Sequence, residues 1–343
     1  MNALAKRTLW IIPILALVCT SLRADTPQAA TARIVAAANA FLSTLNESQK
    51  KHVMYAFDDE KQRATWSNLP TSMVPRGGIK MGDLNGAQRS AAMALVASAL
   101  SQRGFEKVQQ IMQGDELLKR NDRDARMFGK NLFYISILGT PSEKTPWMLQ
   151  FGGHHLALNI TVSGENGILT PSLTGAQPAL YQLVGKTVRP LGAESDKAFA
   201  LLNALDEGQR KRAILSFRMA DLVLGPGQDG KTIQPEGLKA SDMNEKQRAM
   251  LVDLISEWVN IAQDTFAAPR MAEIKAGLDD TWFAWSGPTK AEEGKNIRAY
   301  FRVQGPKLVI EYAPQNLGGD PTLHVHTMYR DPTNDYGRGR AAK

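Results

Sequence analysis

Phe41-Leu-Ser-Thr-Leu-Asn-Glu-Ser-Gln-Lys-Lys-His52 lies in register with Leu201-Leu-Asn-Ala-Leu-Asp-Glu-Gly-Gln-Arg-Lys-Arg212. The match extends to Phe57 and Phe217. A second pair, Gly78-Ile-Lys-Met-Gly-Asp-Leu-Asn-Gly-Ala-Gln-Arg89 and Gly237-Leu-Lys-Ala-Ser-Asp-Met-Asn-Glu-Lys-Gln-Arg248, repeats Gly, Lys, Asp, Asn, Gln and Arg in place. The offsets are 160 and 159 residues, and one long period of this kind predicts a tandem duplication. Part of the recurrence is capping chemistry. Asn46-x-x-Gln49, Asn85-x-x-Gln88, Asp206-x-x-Gln209 and Asn244-x-x-Gln247 read as capping boxes, so Gln88, Arg89, Gln247 and Arg248 read as cap and surface residues. The helices show by period, with Ile34, Ala38, Phe41 and Leu45 on one stripe and Met250, Leu254 and Trp258 on another.

Each unit then changes period. Trp147-Met-Leu-Gln-Phe-Gly-Gly-His-His-Leu-Ala-Leu-Asn-Ile160 reads as a strand, a glycine turn at Gly152-Gly153 and a strand, and Tyr300–Tyr312 is its counterpart. Short strand candidates precede each. The expected fold class is α+β: two repeats, 25–190 and 191–343, each a helical half followed by an antiparallel β meander. They would form two lobes about a pseudo-two-fold axis, with a cleft at their contact.

The N-terminus reads as an address. Lys6 and Arg7 precede an apolar core from Thr8 to Leu22, and Ala24 precedes Asp25, so residues 1–24 are a cleavable secretory signal peptide. Pro13 and the shortness of the run argue against a retained anchor, and Val18 before Cys19 argues against a lipoprotein. The expected location is periplasmic or secreted, with no stable membrane span after cleavage. Cleavage removes three of the 41 basic residues and none of the 34 acidic ones, leaving a net charge of +4. With no dense Lys/Arg run, nucleic acid is excluded as a partner. Cys19 is the only cysteine and leaves with the signal, so any metal must be held by nitrogen and oxygen. A chain with 43% hydrophobic and 22% charged residues is not disordered.

Four of the five histidines fall in two clusters of the β parts. His324-Val-His326 alternates as a strand does, so both rings face one side with backbones ~7 Å apart. His154-His155 follows the glycines. Neighbours on a regular strand face opposite ways, so one of the two is expected to join the same site unless the turn is bulged. The fifth, His52, aligns with Arg212 and reads as surface. Glu311 stands among apolar strand residues where the first repeat has Asn159, as a paired, metal-bound or solvent-facing carboxylate. Arg330-Asp-Pro-Thr-Asn-Asp-Tyr-Gly337 supplies donors and acceptors just beyond the His-x-His strand.

The segments Gly152-Gly-His-His-Leu156, Ile310-Glu-Tyr-x-x-Gln315 and His324-x-His-x-x-x-Arg-Asp-Pro-x-Asn-Asp-Tyr-Gly337 resemble the family catalogued as domain of unknown function 3500. The resemblance runs from about residue 35 to 337. It implies no activity and no catalytic residues, so the site rests on the residues themselves. His154, His155, His324 and His326 are the candidate ligands of a divalent transition metal: zinc, copper or iron. Glu311 and Arg330 are the catalytic candidates, as ligand or base and as anion clamp. Trp147, Gln150, Asp331, Asn334, Asp335 and Tyr336 are the candidate substrate contacts. The first reading is an exported metal-dependent enzyme acting on a small molecule, with hydrolysis ahead of oxidative copper or iron chemistry. The alternatives are a non-catalytic periplasmic protein that binds a small ligand or a metal, and a structural use of the histidines. No nucleophile elbow, P-loop or zincin motif is present.

Overall fold

A computed structural model describes residues 26–119, 123–317 and 319–341; the signal peptide read over residues 1–24, with Cys19, lies outside them. Helices alternate with fourteen strands: β1 (Met54–Tyr55), β2 (Ile79–Lys80), β3 (Tyr134–Leu138), β4 (Trp147–Gly153), β5 (Leu156–Ser163), β6 (Asn166–Ile168), β7 (Ser172–Ala176), β8 (Tyr181–Leu183), β9 (Lys186–Val188), β10 (Leu238–Lys239), β11 (Trp282–Ser286), β12 (Tyr300–Gly305), β13 (Leu308–Pro314) and β14 (Val325–Arg330). Twelve of them form one mixed sheet in the order β1-β3-β4-β5-β7-β14-β13-β12-β11-β10, with β2 on β3 and β6 on β5. The strands of the 25–190 and 191–343 segments therefore join edge to edge. The join is the antiparallel β7–β14 pair, from Ser172 opposite Tyr329 to Ala176 opposite Val325. A shared sheet runs where a cleft between lobes was expected.

The two faces of the sheet differ. Residues two apart share a face, and one face carries Ile135, Ile137, Leu149, Phe151, Leu158 and Ile160. These pack on Ile34, Phe41, Leu95 and Ile111 of the helices Pro27–Ser43, Gly86–Ala99 and Gln102–Leu117. Across the join, Phe283, Trp285, Phe301, Val303, Ile310 and Tyr312 meet Leu201, Leu254 and Trp258 of Gly192–Ala204 and Glu245–Val259. Each such side chain contributes about 1.5–3 kcal/mol on burial. The opposite face carries Ser136, Gln150, Asn159, Arg302, Glu311, His326 and Arg330, all buried. Buried polar groups need partners. Two long connections, residues 56–78 and 214–237, lie across this face and supply them.

The repeated capping sequence builds a junction in each half. All four boxes form, and their glutamines then pair. Gln49 and Gln88 exchange bonds of 3.3 and 2.9 Å, and Gln209 and Gln247 exchange bonds of 3.0 and 2.7 Å. Gln88 and Gln247 also donate to the carbonyls of Thr44 and Ala204, both at 2.8 Å. These two caps are buried, where the sequence reading placed surface. Arg89 and His52 are exposed, and His52 Nδ1 lies 2.7 Å from the Ser48 carbonyl.

Candidate metal centre

The hairpin between β4 and β5 turns on the histidines, two residues later than expected. Gly153 pairs with Leu156, so His154-His155 is the whole turn. The glycines are needed for packing instead. A Cβ at Gly152 would meet the Leu156 carbonyl oxygen at 2.3 Å, and one at Gly153 would meet the Phe133 ring at 3.0 Å. His155 has φ of 61°, a turn position that favours glycine or asparagine. Keeping a residue other than glycine there costs about 1–3 kcal/mol. The same turn lifts the His155 ring off the strand alternation and swings it over Gly175, opposite His326 in register. A Cβ at Gly175 would lie 3.2 Å from His155 Cδ2 and 2.9 Å from the Val325 carbonyl oxygen, so glycine clears the space for the imidazole.

His324 precedes β14 and His326 lies within it, and both rings meet His155. The Nε2 atoms of His155 and His324 are 3.0 Å apart, and those of His324 and His326 are 3.1 Å apart. The ligand atoms of all three residues lie within 4.8 Å of one another. A tetrahedral ion with nitrogens at 2.0–2.1 Å spaces them by ~3.3 Å, so the donor set and two of its spacings fit a small divalent ion. Burial holds the His155 ring well below the usual imidazole range, helped by His154, His326 and His324. Burial likewise lowers His324 to about 4, against the pull of its bond to the Leu317 carbonyl. Both rings are then neutral at neutral pH, the state a metal requires. The 2.9 Å contact from His324 Nδ1 to the Leu317 oxygen fixes the proton on Nδ1 and leaves the Nε2 lone pair free.

Three further residues surround the group. The His154 ring lies against His155, tilted by 32° with centroids 3.7 Å apart, and its Nδ1 lies 2.6 Å from Asp115 Oδ1. His154 is thus a neighbour of the three-histidine group and is turned toward a buried carboxylate. Asp221 Oδ1 stands 3.3 Å from His326 Nδ1, and Asn68 Nδ2 stands 3.3 and 3.4 Å from its two ring nitrogens. Asn68 also accepts the His155 N–H on its carbonyl at 3.3 Å. Asn68 and Asp221 come from the two connections that cross the polar face. Ser67, Asn68, Asp221 and Gln228 line a cavity of about 320 Å³ there. Nothing in the sequence flagged Asn68 or Asp221, which sit in connections without a motif, or Asp115, a lone carboxylate on the helix Gln102–Leu117.

The other sequence candidates have different employment. Glu311 pairs with Met328 in register, two residues along β14 from His326 and on the same face, but its oxygens accept the Val223 and Leu224 N–H groups at 2.8 Å and the Tyr300 hydroxyl at 2.7 Å. It anchors the 214–237 connection and is not turned to the histidines. Arg330 donates to the Leu224 and Gly225 carbonyls at 2.7 and 3.0 Å and to Asp229 and Asp335 at 2.9 and 2.8 Å, which leaves no fork for a substrate anion. Asp335 completes that knot by accepting the Asp331 N–H, and burial raises its carboxyl above the usual range. The Tyr336 hydroxyl accepts from Trp66 at 2.7 Å and donates to Asp229 at 3.0 Å. Asp331 and Asn334 line a separate cavity of about 220 Å³ beside Arg270. Gln150 bonds Gln62, Asn159 and the Arg63 carbonyl. Trp147 is core on the helix side of the sheet, with its indole N–H on the Ser142 carbonyl at 3.2 Å, and faces no ligand surface.

Fold and site define a mixed helix-and-sheet protein with a buried three-histidine group that could hold a metal ion. Comparison of sequences gives the family: the chain belongs to the one described as Protein of unknown function (DUF3500), which it matches over residues 27–338. No curated protein and no solved structure matches it. Among the described residues no helix is long and apolar enough to cross a membrane.

Proposed function

We propose that the protein is an exported metal-dependent enzyme, a hydrolase, whose metal is held by His155, His324 and His326. The observation that carries this reading is the convergence of three buried imidazole Nε2 atoms, one of them on a turn with φ of 61°. Backbone strain of that kind is retained at functional sites. Three protein ligands leave a position open, as catalytic centres do, and the adjoining cavity supports access to it. The metal's contribution when bound is to polarise a carbonyl or acidify water. Lys6, Arg7 and the apolar run to Leu22 support export to the periplasm or beyond. The strand order, which reads alike from β3 and from β11, and the matched glutamine pairs support the tandem duplication, with the centre beside its pseudo-two-fold join.

A second reading is a non-catalytic metal or small-ligand carrier. It is favoured by the commitment of Glu311 and Arg330 to backbone and carboxylate partners. Zinc-loaded protein assayed against ester and amide substrates separates the two. Turnover that disappears with a chelator, and again in His324→Ala/His326→Ala, supports the enzyme. Stoichiometric zinc with no turnover supports the carrier.

A further inference from the structure

The open side of the centre has a definite polarity. Asn68 Nδ2 lies 3.3 and 3.4 Å from the two ring nitrogens of His326, so its amide stands beside that ring on the cavity side. Asp221 Oδ1 lies on Nδ1 of the same ring, 3.3 Å away, with the side chain half exposed to the cavity. Ser67 and Gln228 add neutral hydrogen-bonding groups, and Leu69 and Pro226 add apolar wall. Among the described residues no lysine or arginine lines this cavity. The guanidinium groups nearby are already spent. Arg76 Nη2 donates to the carbonyls of Ser67, Leu69 and Gly153 at 2.7, 2.7 and 3.2 Å, and Arg330 is knotted to Asp229 and Asp335.

We infer that the centre takes an amide of peptide type, with an amine or N–H near the carbonyl, in preference to a phosphate ester or a carboxylate. This rests on the metal-centre reading above. Phosphates and carboxylates are recognised by bidentate guanidinium or clustered cations, and the cavity has none. A carbonyl beside an N–H needs a donor and an acceptor a few ångströms apart. Asn68 donates toward the carbonyl oxygen, where charge develops in the transition state. Asp221, whose Oδ1 already accepts the Leu222 N–H at 2.7 Å and Gln315 Nε2 at 2.8 Å, accepts from the nitrogen side through the rest of its half-exposed carboxylate. Hydrolysis then consumes one water: its oxygen joins the carbonyl carbon, the carbon–nitrogen bond breaks, and one of its protons goes to the leaving nitrogen. No other co-reactant is required.

The test uses full-length mature protein saturated with zinc and three probes measured by calorimetry: glycine hydroxamate, acetohydroxamate and inorganic phosphate. Glycine hydroxamate, which carries the amine, is expected to bind about tenfold tighter than acetohydroxamate, the increment of one charge-assisted bond. Phosphate is expected to bind weakest. In Asp221→Asn at saturating zinc the two hydroxamates should bind alike, with acetohydroxamate binding showing that the centre is intact. Phosphate binding tightest, or an amine preference that survives Asp221→Asn, overturns the inference while leaving the metal centre standing. Failure of zinc itself to bind overturns both.

Discussion

At the scale of single residues, the centre depends on two backbone choices, the positive φ of His155 and the glycine at 175, as much as on its histidines. Gly175 has no side chain because the His155 ring occupies that space. Gly175→Ala should weaken zinc binding by about 10–100-fold, the range for a displaced supporting residue, while the cooperative unfolding transition persists. A zinc titration checks it, and unchanged affinity would show that His155 is not a ligand. The buried rings also fix a pH dependence. His155 and His324 have folded-state values below the unfolded value of about 6.5, so below that pH the unfolded chain binds more protons. Their contribution to stability is complete above about pH 6.5 and is lost as pH falls toward 4. Metal-free wild type should therefore lose more melting temperature between pH 6.5 and 4 than His155→Gln/His324→Gln does. Equal losses would mean that the rings are protonated in the fold. The histidine clusters were legible because imidazoles are rare and strand spacing is simple. The role of Glu311 stayed open because a carboxylate in an apolar strand has several equally good partners, and here they are backbone N–H groups 88 and 87 residues away in sequence.

Elements were read more securely than contacts. Capping boxes and periodic stripes placed the helices, and alternation placed β4, β5, β12 and β13, because local chemistry sets both. What locality does not encode is the pairing of two boxes through their glutamines. Gln88→Ala and Gln247→Ala should each cost about 1–3 kcal/mol, since each removes a helix cap and the bonds to a partner glutamine, half-buried Gln49 or buried Gln209, and to a carbonyl. Denaturant unfolding checks this, and a cost near zero in either half would make the boxes decorative. The connection over the polar face is equally testable. Glu311→Gln should speed proteolytic nicking within residues 218–231 and leave zinc stoichiometry unchanged, because the carboxylate holds the Val223 and Leu224 amides. Loss of zinc with unchanged nicking would restore Glu311 as a ligand. Asn68 and Asp221 escaped the sequence reading for this reason: long irregular connections carry no period, and only the fold brings them to one ring.

At the scale of the whole molecule, one sheet joins the strands of the 25–190 and 191–343 segments, with apolar packing on its helix side and a buried polar network on the other. The edge-to-edge union of the two segments was not legible in the sequence, because the β7–β14 register is a pairing between strands some 150 residues apart. That union decides where the centre lies. It brings the β4–β5 turn of the first half against the last strand of the second, so His155 meets His324 and His326 only when both halves are folded together. The measurement that bears on this most directly is elemental analysis of native protein purified from the envelope fraction, beside a His155→Ala/His324→Ala/His326→Ala variant of matched circular dichroism. About one transition-metal ion per chain in the native protein, and none in the variant, is the expected result. A native protein without metal, or a folded variant that retains it, would contradict the three-histidine centre.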